Sequence, residues 1–552
     1  MNEQRSAAGQ TVPLQRFPVS LAELVAGAAD GDTVMIPDRL VPGSGPVRIR
    51  RNLRLVSAGA EVPDDIVVHG PAALEMSGIT VTGVLTALPG TRLAARDCQF
   101  TPAPGRAPVS VVGSGCVVEL TECRFSGADV TAVRLGKGAV ARLRECDFAP
   151  FVAPAITVSN PGTTLDVSDC RFAGTSGHAV LAEDAASARV TGCRFEGYQS
   201  ERWTAVIAVS SASTVDVSGC TFGPMTAHGV FVRGGGSARV DNCAFTESAE
   251  LAAVFAMDDY SALQVTGCRF TAITGRGVEV NDGAVAEIGD CELQAVGELA
   301  PVYAEGAGSR ASLAGCLISS AHTLGAAASG SAELDVADCG FDCPGARLAD
   351  GAIGLGRDGS RLRITGACSL RGSTVTGTRT LSHTEAVAGT TMALTTTFGA
   401  PCPACNGSGA RPGSQLTACN LSHHHLAAAC PDCHGSGLHG DDPCPDCHGT
   451  GGHTRERTLE IDVPAGVQTG QTLIAPGHGG GGLGNGAPGD LHVVVSVTEP
   501  FRTVEEYFEK ALGVRVAAAD ERPVASRRDL DEAVRREAVR LGYLRADADD
   551  GR

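Results

Sequence analysis

The sequence has 552 residues, a formal net charge of −18 and an aromatic content of only 4%. A chain of this length can hold several domains, and its core must be built mainly from aliphatic and small side chains. The acidic balance, with no basic cluster to reverse it, argues against a nucleic-acid partner. No apolar run approaches the ~18 residues that cross a membrane, so a membrane partner is not expected either.

Cysteine is frequent, with 21 residues in the chain. The first 20 residues show no basic segment followed by an apolar run, which a secretory signal would have. We therefore expect a cytoplasmic protein whose thiols are reduced. Twelve of the cysteines fit an internal ladder and seven fit a metal module, while Cys116 and Cys343 have no assigned role.

The N-terminal segment is predicted to hold a disordered leader over residues 1–16. A short helix and then a strand are predicted over residues 20–37, because Ser20 with Glu23 three residues later forms a capping box. We expect this helix to cover the open end of the repeat region that follows.

One short phrase recurs twelve times between Cys98 and Leu370: a Cys, any residue, then Phe or another large apolar residue. Successive cysteines are 23 to 29 residues apart. A fixed period of this size predicts a solenoid, in which each repeat buries its apolar face against its neighbours. The twelve pairs are Cys98/Phe100, Cys123/Phe125, Cys146/Phe148, Cys170/Phe172, Cys193/Phe195, Cys220/Phe222, Cys243/Phe245, Cys268/Phe270, Cys291/Leu293, Cys316/Ile318, Cys339/Phe341 and Cys368/Leu370.

The residues between the phrases alternate between apolar and polar, as in residues 132–148, which is the spacing of strands rather than helices. About 24 residues in three strands correspond to one coil of a parallel β-helix. The stretch resembles the right-handed parallel β-helix family, whose best-known members are pectate lyase-like. We therefore predict a mainly β protein with a right-handed parallel β-helix of about 12–14 coils over residues 17–373.

Alternate residues of a strand point inward, so the Cys and Phe of each phrase predict two stacked inward columns. We interpret these cysteines as small apolar core residues. A disulfide between neighbouring coils is not excluded by geometry, but a reducing compartment argues against one. The position four residues before the ladder Cys is predicted to point outward: Glu119, Arg142, Asp166, Arg189, Asp216, Arg239, Gln264 and Glu287. Opposite charges alternate over the first six of these, which is expected to stabilise the register of stacking.

A second outward column is predicted on another strand of each coil: Arg134, Thr157, Leu181, Ile207, Phe231, Phe255, Glu279 and Tyr303. Large apolar groups at successive positions of one face typically mark an interface. We therefore predict a partner-binding surface formed by Leu181, Ile207, Phe231, Phe255 and Tyr303. The alternatives are that the face is misjudged, or that a loop or the C-terminal region covers the stripe.

A catalytic site on the β-helix would need clustered carboxylates, as pectate lyase-like and polygalacturonase-like sites have. The candidates are Asp258 with Asp259, and Glu279 with Asn281 and Asp282, and neither group recurs at a matching position on neighbouring coils. His178 and His228 precede strands at a similar phase without an evident partner. We therefore expect no catalytic residues and no enzyme activity.

The most specific motif lies in residues 402–451, where the unit Cys-x-x-Cys-x-Gly-x-Gly occurs three times, at residues 402–409, 430–437 and 444–451. Paired cysteines at this spacing bind one zinc ion as thiolates, and two pairs complete a tetrahedron. The glycines permit tight turns that aim backbone amides at sulfur. We therefore predict structural zinc.

The region around these units resembles the DnaJ co-chaperone family. Residues 380–409, "TLSHTEAVAGTTMALTTTFGAPCPACNGSG", look like its strand, turn, strand and first zinc unit, and residues 457–497 look like its return strands. The resemblance implies a client-binding β-domain over 374–502, with Val463, Leu473, Leu491 and Val493 as apolar strand residues near the client site or in the core. It also implies a first zinc site formed by Cys402, Cys405, Cys444 and Cys447.

The second zinc site of that family is incomplete in this sequence. Cys419, Cys430 and Cys433 match its ligands, while Ser422 stands where the fourth Cys belongs and is followed by His423, His424 and His425. A site with His423 as fourth ligand and an empty or weak site are both open. The sequence also contains no His-Pro-Asp J-domain motif, no Gly/Phe-rich linker and no second β-domain of the family.

Residues 503–552 are predicted to form a helical tail, with amphipathic helices over 503–513 and 525–543. The whole sequence predicts a non-enzymatic protein that binds unfolded or extended polypeptide segments, or one specific protein partner, on a β-helix platform with structural zinc. The alternatives are a carbohydrate-active lyase or hydrolase with an accessory zinc module, and a scaffold in a bacterial multi-protein system.

Overall fold

A computed structural model describes most of the chain: residues 11–12, 19–127, 129–173, 177–198, 204–248, 251–320, 324–343, 353–355, 359–365, 368–370, 375–405, 408–418, 438–449, 452–479, 488–497 and 535–536. Contacts divide the chain into two units. The first comprises residues 1–374, 399–455 and 480–489, and the second comprises residues 375–398, 456–479 and 490–552.

The first unit is a solenoid whose coils each contribute one strand to three sheets, with parallel pairing from coil to coil. The strands of the first sheet are Thr11–Val12, Asp32–Met35, Leu53–Val56, Ala73–Ser77, Arg92–Arg96, Val117–Thr121, Val140–Arg144, Thr164–Ser168, Ser187–Thr191, Thr214–Ser218, Ser237–Asp241, Ala262–Thr266, Val285–Gly289, Arg310–Ala314, Glu333–Ala337, Arg361–Thr365, Gln415–Ala418 and Leu438–Gly440. The predicted parallel solenoid is confirmed.

The other two sheets of the solenoid contain 14 strands each. The second sheet comprises Glu61–Val62, Thr80–Val81, Gln99–Phe100, Arg124–Phe125, Asp147–Phe148, Arg171–Ala173, Arg194–Glu196, Thr221–Phe222, Ala244–Thr246, Arg269–Ile273, Glu292–Ala295, Leu317–Ser320, Gly340–Asp342 and Ser369–Leu370. The third sheet comprises Val47–Ile49, Ile66–Val68, Leu85–Ala87, Val109–Val112, Val133–Gly136, Ile156–Ser159, Val180–Glu183, Thr204–Val209, His228–Arg233, Val254–Met257, Val278–Asn281, Val302–Glu305, Ala326–Ser329 and Ile353–Leu355.

A sharp bend precedes each ladder cysteine from Cys98 to Cys339 and separates the first sheet from the second. The residue before the cysteine has a positive φ, which Asp, Asn and Gly adopt at least cost. This requirement explains why Asp, Asn or Gly occupies the position before most ladder cysteines. The residues are Asp97, Glu122, Glu145, Asp169, Gly192, Gly219, Asn242, Gly267, Asp290, Gly315 and Asp338.

The core includes the two predicted inward columns, and this prediction is confirmed. From Phe100 to Phe270 the rings of successive coils stack, with centroids 4.5–5.1 Å apart and ring planes within 10° of parallel. The ladder cysteines are buried free thiols. The Cys146 amide donates to Cys170 Sγ at 3.3 Å, and the Cys146 thiol lies 3.3 Å from the Arg144 carbonyl. The thiols therefore fill space and also satisfy backbone groups at the bend.

The outward charged column is also found on the first sheet, in the predicted register. Arg142 lies between Glu119, at 3.2 Å, and Asp166, at 4.0 Å. Arg239 departs from the expected pattern, since it pairs with Asp241 on its own strand at 2.5 Å rather than with Asp216. These side chains are more than half exposed apart from Asp241, so each pair adds little to the free energy of unfolding.

The N-terminal end of the solenoid is covered by the helix Leu21–Gly27, as predicted. Ser20 and Glu23 form the capping box, and Leu21 and Val25 are buried in the solenoid core. Within the predicted leader, the strand Thr11–Val12 pairs in parallel with Thr33 and Val34. The other residues of the leader lie outside the described part of the chain.

The second unit contains a three-stranded sheet in the order Val375–Leu381, Leu491–Val497, Thr472–Ala475. The helix His383–Ala388 follows the first of these strands and is capped by Ser382 and Glu385. A helical turn therefore stands where a simple turn between strands was expected. The core of this unit includes Leu381, Ala386, Met392, Ile461, Val463, Val467, Leu491, Val493 and Val495.

A separate two-stranded sheet pairs Thr390–Pro401 with Gly452–Val463. Of the predicted C-terminal helices, only residues 535–536 belong to the described part, and they are helical. Among the described residues, no helix has the length and apolar character needed to cross a lipid bilayer.

Candidate metal centre and binding surfaces

The predicted first metal site is assembled from two loops that are far apart in sequence. Cys402, Cys405, Cys444 and Cys447 are buried, and their sulfur atoms all lie within 4.8 Å of one another. The sulfur of Cys402 is 4.0 Å from that of Cys444, and Cys405 is 3.6 Å from Cys447. Four thiol sulfurs at such separations surround a space in which one metal ion can contact them all.

Backbone conformation brings the two loops together. Gly409 and Gly449 have φ of +76° and +87°, which only glycine adopts without strain, so each turn can fold back behind its cysteines. The Cys444 amide donates to the Gly409 carbonyl at 2.9 Å, and Ala410 forms an antiparallel bridge with Pro443. These two glycines of the repeated unit thus form the tight turns that the sequence predicts.

The environment of Cys444 favours the thiolate. Burial alone would raise the pKa of this thiol, but the backbone amides of Cys447 and Asp446 donate to its sulfur and hold the pKa below its ordinary value. Thiolate is the form that binds a metal ion. Four buried sulfurs without a carboxylate or an open position fit a closed structural zinc site, as in zinc fingers.

The predicted ligands of the second site, Cys419, Cys430, Cys433 and His423, lie outside the described residues. That site stays a prediction.

The predicted partner-binding stripe lies on the outer face of the third sheet, in the register expected. Phe231 and Phe255 stack with centroids 5.0 Å apart, and the His228 ring lies 4.9 Å from Phe255. Leu181, Phe231, Phe255 and Tyr303 are half-buried, whereas Ile207 is only 4% exposed. Ile207 is flanked by Leu181 and Phe231 on neighbouring coils, so it offers a partner little surface.

A polar cluster continues this face beyond Phe255. Arg276 pairs with Glu279 at 2.5 Å, and the side-chain amide of Asn281 donates to the same carboxylate oxygen at 3.0 Å. The Arg276 guanidinium also lies 3.6 Å above the Tyr303 ring, and the Tyr303 hydroxyl is 2.5 Å from Ser329 Oγ. Glu279 is therefore engaged by its neighbours, which is typical of a structural carboxylate rather than a catalytic base.

Three further candidates, Asp258, His178 and His228, contact the backbone. Asp258 accepts a hydrogen bond from the Gly234 amide at 3.1 Å. The Thr204 amide donates to His178 Nδ1 at 3.0 Å, and burial lowers the pKa of His178 to about 4. His228 Nδ1 lies 2.7 Å from the Ala252 carbonyl, and burial lowers the pKa of His228 as well. The two imidazoles contact the backbones of neighbouring coils.

One edge of the sheet in the second unit offers a different kind of surface. The strand Thr472–Ala475 pairs antiparallel with Leu491–Val497 on one side and with no other strand among the described residues. Leu473 packs on the core of the unit with Val463, Leu491 and Val493, so these four predicted apolar residues lie in the core. Ile474, on the same strand, is 58% exposed.

Comparison with known families matches the two regions separately. The model of the right-handed β-helix region matches residues 107–250, 154–318 and 204–375, and the model of the DnaJ C-terminal domain matches residues 370–508. The chain joins a right-handed β-helix region to a DnaJ C-terminal domain. The DnaJ-like part contains the four-cysteine group and the sheet with the open edge.

Individual relatives agree with this assignment. The Chaperone protein DnaJ of Xanthobacter autotrophicus is 34% identical over 158 residues, which cover 27% of this chain and 40% of that protein. The Chaperone protein DnaJ 2 of Nocardia farcinica is 34% identical over 172 residues, which cover 28% of this chain and 44% of that protein. The chain thus spans less than half the length of these relatives.

Among solved structures, the periplasmic alginate epimerase AlgG shares 10% identity at a TM-score of 0.34 over 61% of this chain and 85% of that one. This score is too low to support an argument about fold or function.

Sequence reasoning missed two residues that link the metal centre to the solenoid. Ala410 and Leu416, between the two metal-binding loops, are buried in the same core as the coils. Leu416 stands between Gln415 and Thr417, and this alternation is a weak strand signal inside the zinc region.

Proposed function

We propose that this chain is a non-enzymatic protein-binding protein whose DnaJ-like domain binds unfolded or extended polypeptide segments. The observation that carries the proposal is the strand Thr472–Ala475, whose outer edge is unpaired among the described residues and which exposes Ile474. An extended segment can add to such an edge through main-chain hydrogen bonds and place an apolar side chain against the exposed one.

The zinc proposed for the four-cysteine group has a structural role. The thiolates of Cys402, Cys405, Cys444 and Cys447 would hold the ion and tie the two loops together. A closed site with four sulfur ligands leaves no position for a substrate or water. The β-helix would act as a rigid platform, since its coils stack in parallel register around one continuous core. We place the protein in the cytoplasm, where its thiols stay reduced.

A test measures binding of a fluorescent denatured polypeptide to the full chain by anisotropy. Ile474→Lys puts a charge at the proposed contact, and we expect it to raise Kd by roughly tenfold or more. The matched control is Val387→Lys, which changes an apolar side chain of similar exposure, 45%, on the helix His383–Ala388. The control should leave Kd within about twofold. Equal affinity of wild type and Ile474→Lys would contradict the proposal.

A second candidate function is a scaffold that holds one folded partner on the third sheet. The aromatic pair Phe231 and Phe255 beside Leu181 favours it, because aromatic side chains dominate interface energetics. Indifference to denatured polypeptides, together with selective capture of one partner that Phe255→Lys abolishes, would favour this candidate over the first.

A further inference from the structure

The first sheet of the solenoid does not end at its last coil. The strand Arg361–Thr365 pairs in parallel with Glu333–Ala337 on one side and antiparallel with Gln415–Ala418 on the other, with Leu362 opposite Leu416. Gln415–Ala418 pairs in turn with Leu438–Gly440. We call these last two strands the cap strands. They lie in sequence between the two pairs of metal-binding cysteines.

The cap strands also close the solenoid interior. Leu362 has no exposed surface, and Leu416 is 2% exposed and belongs to the same core cluster. Ala410 contributes to this cluster as well. Without such a cover, the last coil would present an unpaired strand edge and an apolar interior to water.

The metal centre lies at the base of the cap strands. The segments that run from the cysteines to these strands are held together by the Ala410–Pro443 bridge and by the Arg411–Asp442 ion pair at 3.2 Å. Gly440 fits against Ala410 so closely that a Cβ there would lie 2.5 Å from the Ala410 Cβ. The position of Leu416 therefore depends on the closure of both cysteine loops.

We propose that metal binding by the four cysteines holds the cap strands in place at the C-terminal end of the β-helix. The cap strands then pair with the edge strand Arg361–Thr365 and cover the core at Leu362. This role is independent of client binding. Linkage makes the coupling reciprocal: if the metal stabilises the cap, then breaking the cap must weaken metal binding.

The test is hydrogen–deuterium exchange of the full chain with and without a zinc chelator. The Arg361 amide donates to Ala332, so the Leu362 and Ile364 amides face the cap strands. We expect metal removal to speed exchange of Leu362 and Ile364 by roughly tenfold or more. Exchange in Thr214–Ser218, in the middle of the solenoid, should stay unchanged. Unaltered exchange at Leu362 and Ile364 after chelation would overturn the proposal.

Two variants test the role of the cap strands while the four cysteine ligands stay unchanged. Leu416→Asp leaves all four cysteines in place but puts a charge into the core, so it should speed the same exchange and also lower zinc affinity, measured by competition with a chromophoric chelator. Arg363→Ala is the control, since it changes an exposed side chain of the edge strand and leaves the core at Leu362 and the cap strands intact. Wild-type zinc affinity in Leu416→Asp would overturn the coupling.

Discussion

Cys268 of the β-helix and Cys444 of the metal centre are both buried, yet their surroundings act on the two thiols in opposite directions. A hydrogen bond with Cys243 and burial raise the pKa of Cys268 to about 12. Backbone amides lower the pKa of Cys444 despite burial. Burial therefore does not define the role of a cysteine. What distinguishes the metal centre is that four sulfurs converge within 4.8 Å of one another.

The β-helix and the metal centre also differ in how their stability is distributed over the residues. The solenoid repeats one contact, so its stability is spread over many coils. The stability of the metal centre depends on four side chains. Loss of one ligand should therefore disable the centre, whereas loss of one ladder residue should weaken the solenoid only in part.

The largest expected effect is loss of the metal. Cys447→Ala should abolish zinc binding at the first site, because metal affinity in closed sites, about 10–16 kcal/mol in zinc-finger peptides, requires the complete ligand set. The matched change in the ladder, Cys268→Ala, should leave zinc content unaltered. Metal analysis of the purified variants decides this, and equal zinc content in both would remove the distinction between the two kinds of cysteine.

A break in the aromatic column ranks second. Phe195→Ala leaves a cavity between the stacked rings of Phe172 and Phe222 and should lower the free energy of unfolding by about 3–5 kcal/mol. Leu317→Ala is the control on an exposed side chain and should change it by less than about 0.5 kcal/mol. Urea unfolding measures both. A Phe195→Ala effect as small as that of the control would show that the stacked rings do not hold the coils together.

Alkaline pH should weaken the solenoid. The pKa of Cys268 is raised to about 12 in the folded chain, so the unfolded thiol loses its proton first as pH rises above about 9. Stability contributed by the neutral buried thiol is thus complete below pH 9 and is lost as pH rises toward 12. Each such thiol contributes at most about 1.4 kcal/mol per pH unit.

Urea midpoints at pH 8, 9 and 10 under reducing conditions, about the range of the ordinary thiol pKa, measure this loss. Cys268→Ala should show a shallower decline than wild type. Identical slopes in the two proteins would contradict the assigned role of this thiol.

The smallest effect is expected from the outward charges. Arg142→Ala removes pairs with Glu119 and Asp166 and should lower the free energy of unfolding by about 0.2–1 kcal/mol, less at high salt. Lys137→Ala is a matched control in a turn of the same coil, where no ion pair of Lys137 is found among the described residues. A loss above about 2 kcal/mol from Arg142→Ala would mean that these pairs are more than surface contacts.

Periodic features of the fold were readable from the sequence. Cys and Phe two residues apart had to point to one face, and the 23 to 29-residue spacing required stacking. The capping box of Ser20 and Glu23 marked the first helix. The same signal occurs at Ser382 and Glu385, where the family resemblance predicted a turn and the structure has the helix His383–Ala388.

Contacts between the last coil and the segment that lies between the two cysteine pairs could not be predicted from the sequence. The pairing of Leu362 with Leu416 joins residues that no period relates. Burial of Ile207 follows from the bulk of its neighbours on adjacent coils rather than from its own alternation pattern. For the metal centre, the spacing identified the cysteine units, and the family resemblance supplied the pairing of the first unit with the last, the pairs that the structure brings together.

We propose that the DnaJ-like domain, and not the β-helix, contacts an extended polypeptide. Hydrogen–deuterium exchange of the full zinc-loaded chain, with and without a saturating denatured polypeptide, can locate the contact. We expect the polypeptide to slow exchange in Thr472–Ala475 and to leave exchange in Val254–Met257 on the third sheet unchanged. Slower exchange at Val254–Met257 without any change at Thr472–Ala475 would contradict it.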